Sequence, residues 1–127
     1  VGVRHNSDAG TVYKIGDLAR EFDVTLRTLR FYEDRGLITP TRSGTTRLYS
    51  SGDRDRLQVA LFCKRIGLSL GEIHEVLMLH DHGNDNAQSR SKIRSVYAAQ
   101  LQVLKKQQKD TLDTIVDLED KLNELAE

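Results

Sequence analysis

One cysteine, Cys63, one proline, Pro40, and no tryptophan mark this 127-residue chain by what it lacks. A lone cysteine excludes an intrachain disulfide framework. No apolar run approaches the roughly 20 residues that span a bilayer, and the first ten residues are polar, without the apolar core of a signal peptide. A cytoplasmic protein with no membrane partner is therefore expected. The sequence also has no phosphate-cradling glycine loop and no nucleophile–base pair, and His74-Glu75 lacks the second histidine of the helical zinc-protease motif. Neither an enzyme nor a cofactor is expected. His80, Asp81, His82 and Asp85 offer nitrogen and oxygen ligands, but adjacent turn residues seldom converge on one ion unaided. The expectation there is a solvated loop and no metal.

Formal net charge is zero, yet the two signs are unevenly placed. Between Val24 and Arg65 the nine basic residues are Arg27, Arg30, Arg35, Arg42, Arg47, Arg54, Arg56, Lys64 and Arg65, against four acids. From Asp110 to Glu127 seven acids face a single lysine, Lys121. The neutral total thus hides a basic half suited to a polyanion and an acidic tail. Length allows one small domain with one accessory element, not two full cores.

The basic half has internal order. Ile15, Leu18, Ala19 and Phe22 share one helical face, and Leu26 and Leu29 start a second face just beyond Asp23 and Val24. So short a joint makes the two helices cross steeply, as in a helix-turn-helix. The second helix carries Arg27, Thr28, Arg30 and Phe31, with Tyr32 close behind. Guanidinium groups bond phosphate or the guanine edge, hydroxyls bond phosphate oxygens, and rings cover sugar. Pro40 then ends the helical region. Ser43-Gly44 supplies the reversal of a hairpin, whose strands carry Arg42 and Arg47 as a wing beside the reading helix. On an isolated helix, such arginines would read as a solvated face; the wing that follows them favours DNA.

After the wing, Ser50 with Asp53 forms a capping-box start to a helix bearing Leu57, Ala60, Leu61 and Lys64, which Gly67 stops. Ser69 with Glu72 repeats the signature before Ile73, Val76, Leu77 and Leu79. These two amphipathic helices close the small core. The polar stretch from His80 to Asn86, with Gly83 able to take a left-handed turn, is the expected boundary. Domains are thus expected at 1–11 (a disordered segment), 12–82 (winged helix-turn-helix) and 87–127 (a dimerisation helix). The fold class is mainly α.

The segment Tyr13-Lys-Ile-Gly-Asp-Leu-Ala-Arg-Glu-Phe22, then Val24-Thr-Leu-Arg-Thr-Leu-Arg-Phe-Tyr-Glu33, Arg35-Gly-Leu-Ile38, Arg47-Leu-Tyr49, Asp53 and Ile66-Gly-Leu-Ser-Leu70, resembles the MerR family of bacterial regulators. The resemblance covers more than half of the chain, in order. It implies DNA contacts from Arg27, Arg30, Phe31 and Tyr32 on the reading helix and from Arg47 and Tyr49 on the wing, to which the residues themselves add Thr28 and Arg42. Lys64 and Arg65 correspond to a second wing. Phe31 stands where many members have tyrosine, so a hydroxyl-to-phosphate bond is not expected there, although the ring can pack on sugar. Within the family the chain is most similar to the short regulators of the LiuR type, associated with branched-chain amino acid breakdown, which would make an acyl-CoA or related catabolic intermediate the effector. The resemblance further implies a homodimer on a pseudo-palindromic promoter operator, acting with RNA polymerase by distorting the DNA. Metal-sensing members carry cysteines at the start of the long helix and in a loop near its end; here those places hold none, and thiolate metal sites are not expected.

Leu101, Leu104, Gln108, Thr111, Ile115, Leu118, Leu122 and Leu125 follow one another at spacings of three and four, with no Gly or Pro from Ala87 onward. That is a heptad seam, with two polar positions that lower stability and fix register. The resemblance implies that it pairs as an antiparallel coiled coil; a helix folded back on its own domain is the alternative. Cys63 has two readings. Beside Lys64 and Arg65 an exposed sulfur would favour the thiolate and serve as a sensor, while a buried one would be structural. An adaptor with a wing that no longer binds DNA is the rival to a regulator, and it would require a reading helix or wing stripped of cations.

Overall fold

The structure is a computed structural model, and it describes residues 11–81 and 86–127. Its elements run β1 (Val12–Lys14), α1 (Ile15–Phe22), α2 (Leu26–Asp34), β2 (Thr41–Ser43), β3 (Thr46–Ser50), α3 (Ser51–Arg65), α4 (Leu70–Asp81) and α5 (Ala87–Glu124). The mainly helical class expected from the sequence is what is found. The disordered segment expected at the N-terminus lies almost wholly outside the described residues, as do His82 and Asp85. The chain divides into two compact units after Met78, a few residues before the boundary expected from the polar link.

Local chemistry sets the element ends. Thr25 caps α2, its hydroxyl accepting from the Thr28 amide at 3.1 Å. Asp23 holds the left-handed conformation that the tight α1–α2 joint requires, at φ 52°, which an Asp tolerates better than most residues. Helix α3 opens on the expected capping box: the Asp53 amide donates to Ser50 Oγ at 3.0 Å, and the Ser50 amide donates to Asp53 Oδ2 at 3.0 Å. Before α4, the Glu72 amide donates to Ser69 Oγ at 3.2 Å and the Ser69 amide to Glu72 Oε1 at 2.8 Å. Donation from the Ser69 amide, and then from its hydroxyl, holds the Glu72 carboxyl below the usual range.

Two features differ from the sequence expectation. Helix α2 ends well before Pro40, at Asp34, and Gly36 makes the turn at φ 76°. Its amide donates to the Glu33 carbonyl at 3.0 Å, and the Leu37 amide to the Tyr32 carbonyl at 2.9 Å, so the helix closes on its own last carbonyls. The second difference is β1, a strand too short to show a period of two. It pairs antiparallel with β3, Tyr13 opposite Tyr49, to give a sheet of order β1-β3-β2. The β2–β3 hairpin reverses over Gly44-Thr45, as Ser43 pairs with Thr46. Gly44 sits at φ 65°.

The core of this unit joins Leu18 of α1, Leu29 and Tyr32 of α2, Leu37, Ile38, Tyr49 of β3, Leu57 and Ala60 of α3, and Ile73, Val76 and Leu77 of α4, all buried. Arg56 ties α3 to the loop after α2, its Nε donating to the Leu37 carbonyl at 3.0 Å. Helix α5, by itself, runs unbroken for 38 residues, about 57 Å at 1.5 Å per residue. Ion pairs one turn apart, Lys106–Asp110 at 3.0 Å and Lys109–Asp113 at 2.9 Å, brace its exposed side. Among the described residues no helix is long and apolar enough to cross a membrane.

A Cβ at Gly36 would meet nothing within 4 Å, so only the positive φ opposes a side chain there. Gly36→Ala is expected to lower unfolding free energy by about 1–2 kcal/mol in chemical denaturation. A variant as stable as the parent would show that this turn bears no conformational constraint.

Candidate nucleic-acid interface

Helix α2 presents two opposite sides. Leu29 and Tyr32 point into the core, while Arg27, Arg30 and Phe31 stand exposed. Thr28 is half-buried, its hydroxyl 3.0 Å from that of Thr25. Phe31 is held without being covered. The Arg35 guanidinium lies 4.8 Å from its ring centroid, and the Tyr32 ring meets it edge-on at 5.8 Å. A half-exposed apolar ring held between Arg35 and Tyr32 is suited to pack on sugar.

Lys64 and Arg65, at the end of α3, are exposed. Lys64 shares with Arg27, Thr28, Phe31, Tyr32, Leu68, Leu70 and Ile73 the lining of a cleft of about 380 Å³. The reading helix and the expected second wing thus border one hollow, apolar at its floor and cationic at its rim. Such a hollow suits a sugar with its phosphate.

Tyr32 is 3% exposed and Tyr49 is not exposed at all, which speaks against the direct DNA contacts expected of them. Both are core residues, because helical periodicity turns Tyr32 inward with Leu29, and pairing with β1 places β3 in the middle of the sheet. Cys63 is likewise fully buried. Its sulfur cannot meet an electrophile in this fold, which favours the structural reading over the thiol sensor. No group of three or more His, Cys, Asp or Glu side chains able to hold a metal occurs among the described residues.

Glu33 is the site residue that the sequence reading did not single out. Its carboxylate is 16% exposed and collects three partners from the wing. Arg47 Nε lies 2.9 Å from Oε1, the Tyr49 hydroxyl donates to Oε1 at 3.1 Å, and Arg42 Nη2 lies 3.8 Å from Oε2. Strand geometry explains the convergence, because Arg47 and Tyr49 are two apart on β3 and share a face, while Arg42 is the cross-strand partner of Arg47. Like charges directly opposite in a ladder repel; the carboxylate between them offsets this. Two arginines facing each other across a two-residue turn favour an acid nearby, but nothing in the local sequence says which acid. Arg47 is therefore ion-paired and largely covered, whereas Arg42 keeps 55% of its side chain exposed.

A second tie fixes α3 to α1. Arg54 Nε donates to Glu21 Oε1 at 2.9 Å, Arg54 Nη2 bonds Glu21 Oε2, and the guanidinium lies 5.7 Å from the Phe22 ring centroid. The bidentate pair holds the Arg54 pKa above its ordinary value.

Burial, reinforced by its bond to Glu33, pushes the Tyr49 phenol from 10.0 up to about 12. A raised acid pKa in the folded state means stabilisation that is complete below pH 10 and lost as pH rises toward 12. Absorbance titration should show one phenol ionising near pH 12 together with loss of structure, and Tyr49→Phe should remove that step. A Tyr49 that ionises near 10 in the folded chain would contradict this burial.

These side chains are found in a known setting. The family model for MerR HTH family regulatory proteins matches residues 13–79, and a second, described as MerR, DNA binding, matches residues 54–125. The HTH-type transcriptional regulator ZntR homolog of Haemophilus influenzae is 34% identical over 82 residues, which are 63% of this chain and 61% of that protein. The HTH-type transcriptional activator mta of Bacillus subtilis is 40% identical over 74 residues, 57% of this chain and 28% of mta. This chain thus spans less than two thirds of either curated relative. The crystal structure of MtaN, the N-terminus of that B. subtilis multidrug transporter activator, superposes with a TM-score of 0.65 at 29% identity, covering 87% of this chain and 97% of MtaN. By the extent of both family matches and by this shared fold, the chain belongs to the MerR family.

Proposed function

We propose that the chain is a sequence-specific DNA-binding transcription regulator that reads a pseudo-palindromic promoter operator as a homodimer. The observation that carries this reading is the pair Arg27 and Arg30, exposed on a helix whose other side is locked into the core. Their exposure leaves both guanidinium groups available for base edges or phosphates. Arg42 on the wing and Lys64 and Arg65 beside the cleft extend the cationic surface beyond the helix. The adaptor alternative needs a reading surface stripped of cations, and this surface keeps them. That mta and the ZntR homolog are named as transcription regulators agrees with the proposal.

The dimer follows from α5. Leu101, Leu104, Ile115, Leu118 and Leu122 stand exposed on it and Leu125 directly after its end, and Leu112, outside the eight seam positions, widens the stripe. A second copy of the same helix supplies a matching stripe of equal length, and antiparallel pairing gives the two-fold symmetry that a palindromic site requires. The winged helix-turn-helix unit and the long helix then serve as reading head and dimerisation element. In this scheme RNA polymerase at the promoter is the downstream partner, an effector shifts the dimer between states, and bending the operator costs several kcal/mol.

Arg30→Ala is expected to weaken binding to DNA fragments selected from the source genome by about 1–3 kcal/mol at fixed salt, with an unchanged thermal midpoint; wild-type affinity would remove Arg30 from the interface. Leu118→Asp would bury a charge in the seam, so sedimentation should report a monomer and tight operator binding should vanish. A sedimentation profile like that of the parent would mean that α5 is covered in some other way.

A further inference from the structure

The wing holds two arginines, and they are not equivalent. Arg47 is mostly covered and within 2.9 Å of the Glu33 carboxylate, while Arg42 is more than half exposed and reaches the same carboxylate only at 3.8 Å. We propose that Glu33 is a positioning residue for DNA reading: it fixes the wing to helix α2 through Arg47 and Tyr49, and leaves Arg42 as the wing cation that trades carboxylate for phosphate. The proposal rests on the DNA-reading function above and concerns how its wing is set.

The geometry supports each part. Glu33 belongs to the reading helix, Arg47 and Tyr49 to β3 and Arg42 to β2, so the three contacts join the helix to both strands of the wing, the elements that must meet DNA in fixed relation. Tyr49 is wholly buried and its hydroxyl donates to Glu33, which anchors the carboxylate from the core side. Arg47 bonds through Nε, a directional contact that sets where the strand lies. The Arg42 contact lies near the limit of an ion pair, exposed to solvent, and such pairs are worth little in water. A phosphate, carrying a full charge and free of the repulsion between Arg42 and Arg47, can replace it. Plain charge bookkeeping makes the opposite forecast for Glu33: neutralising an acid beside a polyanion should strengthen binding. The sign of the effect therefore separates positioning from simple repulsion.

The test uses the full chain, with fluorescence anisotropy on a selected fragment and on a scrambled fragment of equal length, each at several salt concentrations. Glu33→Gln should bind the selected fragment about tenfold more weakly and the scrambled one as well as or better than the parent. Arg42→Ala should bind both more weakly, its salt slope lower by about 0.9 for the one lost phosphate contact. Glu33→Gln binding the selected fragment as tightly as the parent or tighter overturns positioning, and an unchanged slope for Arg42→Ala overturns the exchange. If circular dichroism finds Glu33→Gln unfolded, Tyr49→Phe decides. Tyr49 is wholly buried, so weaker binding of the selected fragment alone by a folded variant supports the proposal, and parental discrimination overturns it. A parent chain that binds both fragments equally would refute the DNA-reading function itself, a result visible before any substitution is made.

Discussion

A single carboxylate ties helix α2 to the β2–β3 hairpin. Glu33 lies at the meeting point of the helix that carries Arg27 and Arg30 and the hairpin that carries Arg42 and Arg47. Without an acid there, the two wing arginines would face each other across the ladder with nothing to offset their repulsion. The Tyr49 hydroxyl would also be left in the core with no acceptor, a loss costing about 1–3 kcal/mol. The backbone around it is arranged to the same end. Gly36 ends the helix three residues after Glu33, and β1 completes a sheet in which Tyr49 has no outlet to solvent.

Much of this was legible in the sequence, and the failures have physical causes. Capping boxes at Ser50–Asp53 and Ser69–Glu72 were readable because each needs only residues three apart. The inward positions of Leu18, Leu29, Leu57 and Ile73 were readable because helical periodicity repeats over several turns. Strand β1 was not, since three residues cannot display alternation. The burial of Tyr32 and Tyr49 was not legible, because a tyrosine suits phosphate and core alike, and tertiary packing decides between them. Arg27, Arg30, Arg42, Lys64 and Arg65 stand exposed, as long charged side chains mostly do. The role of Glu33 was hidden because its partners are 9 to 16 residues away, and no local pattern links them.

The same contrast separates the two units. In the reading unit, specificity of structure comes from non-local ties: Glu33 to the wing, Arg54 to Glu21, Arg56 to the Leu37 carbonyl. Helix α5 is held by local bonds, and its apolar side finds no cover within its own length. One unit has a buried core of its own, while the other carries a hydrophobic stripe that the proposed second copy would bury.

The two polar seam positions of α5, Gln108 and Thr111, acquire a metrical meaning in that dimer. A slip of one heptad between antiparallel helices would displace the paired ends by about 10 Å. That is close to three base-pair steps of DNA, at roughly 3.4 Å each. Leucines alone tolerate such a slip, since every heptad looks alike to them; a buried amide and hydroxyl do not, because out of register they lose each other as partners. In such a dimer the polar pair would be the zero mark of a ruler, the point from which the offset of one long helix against the other is counted.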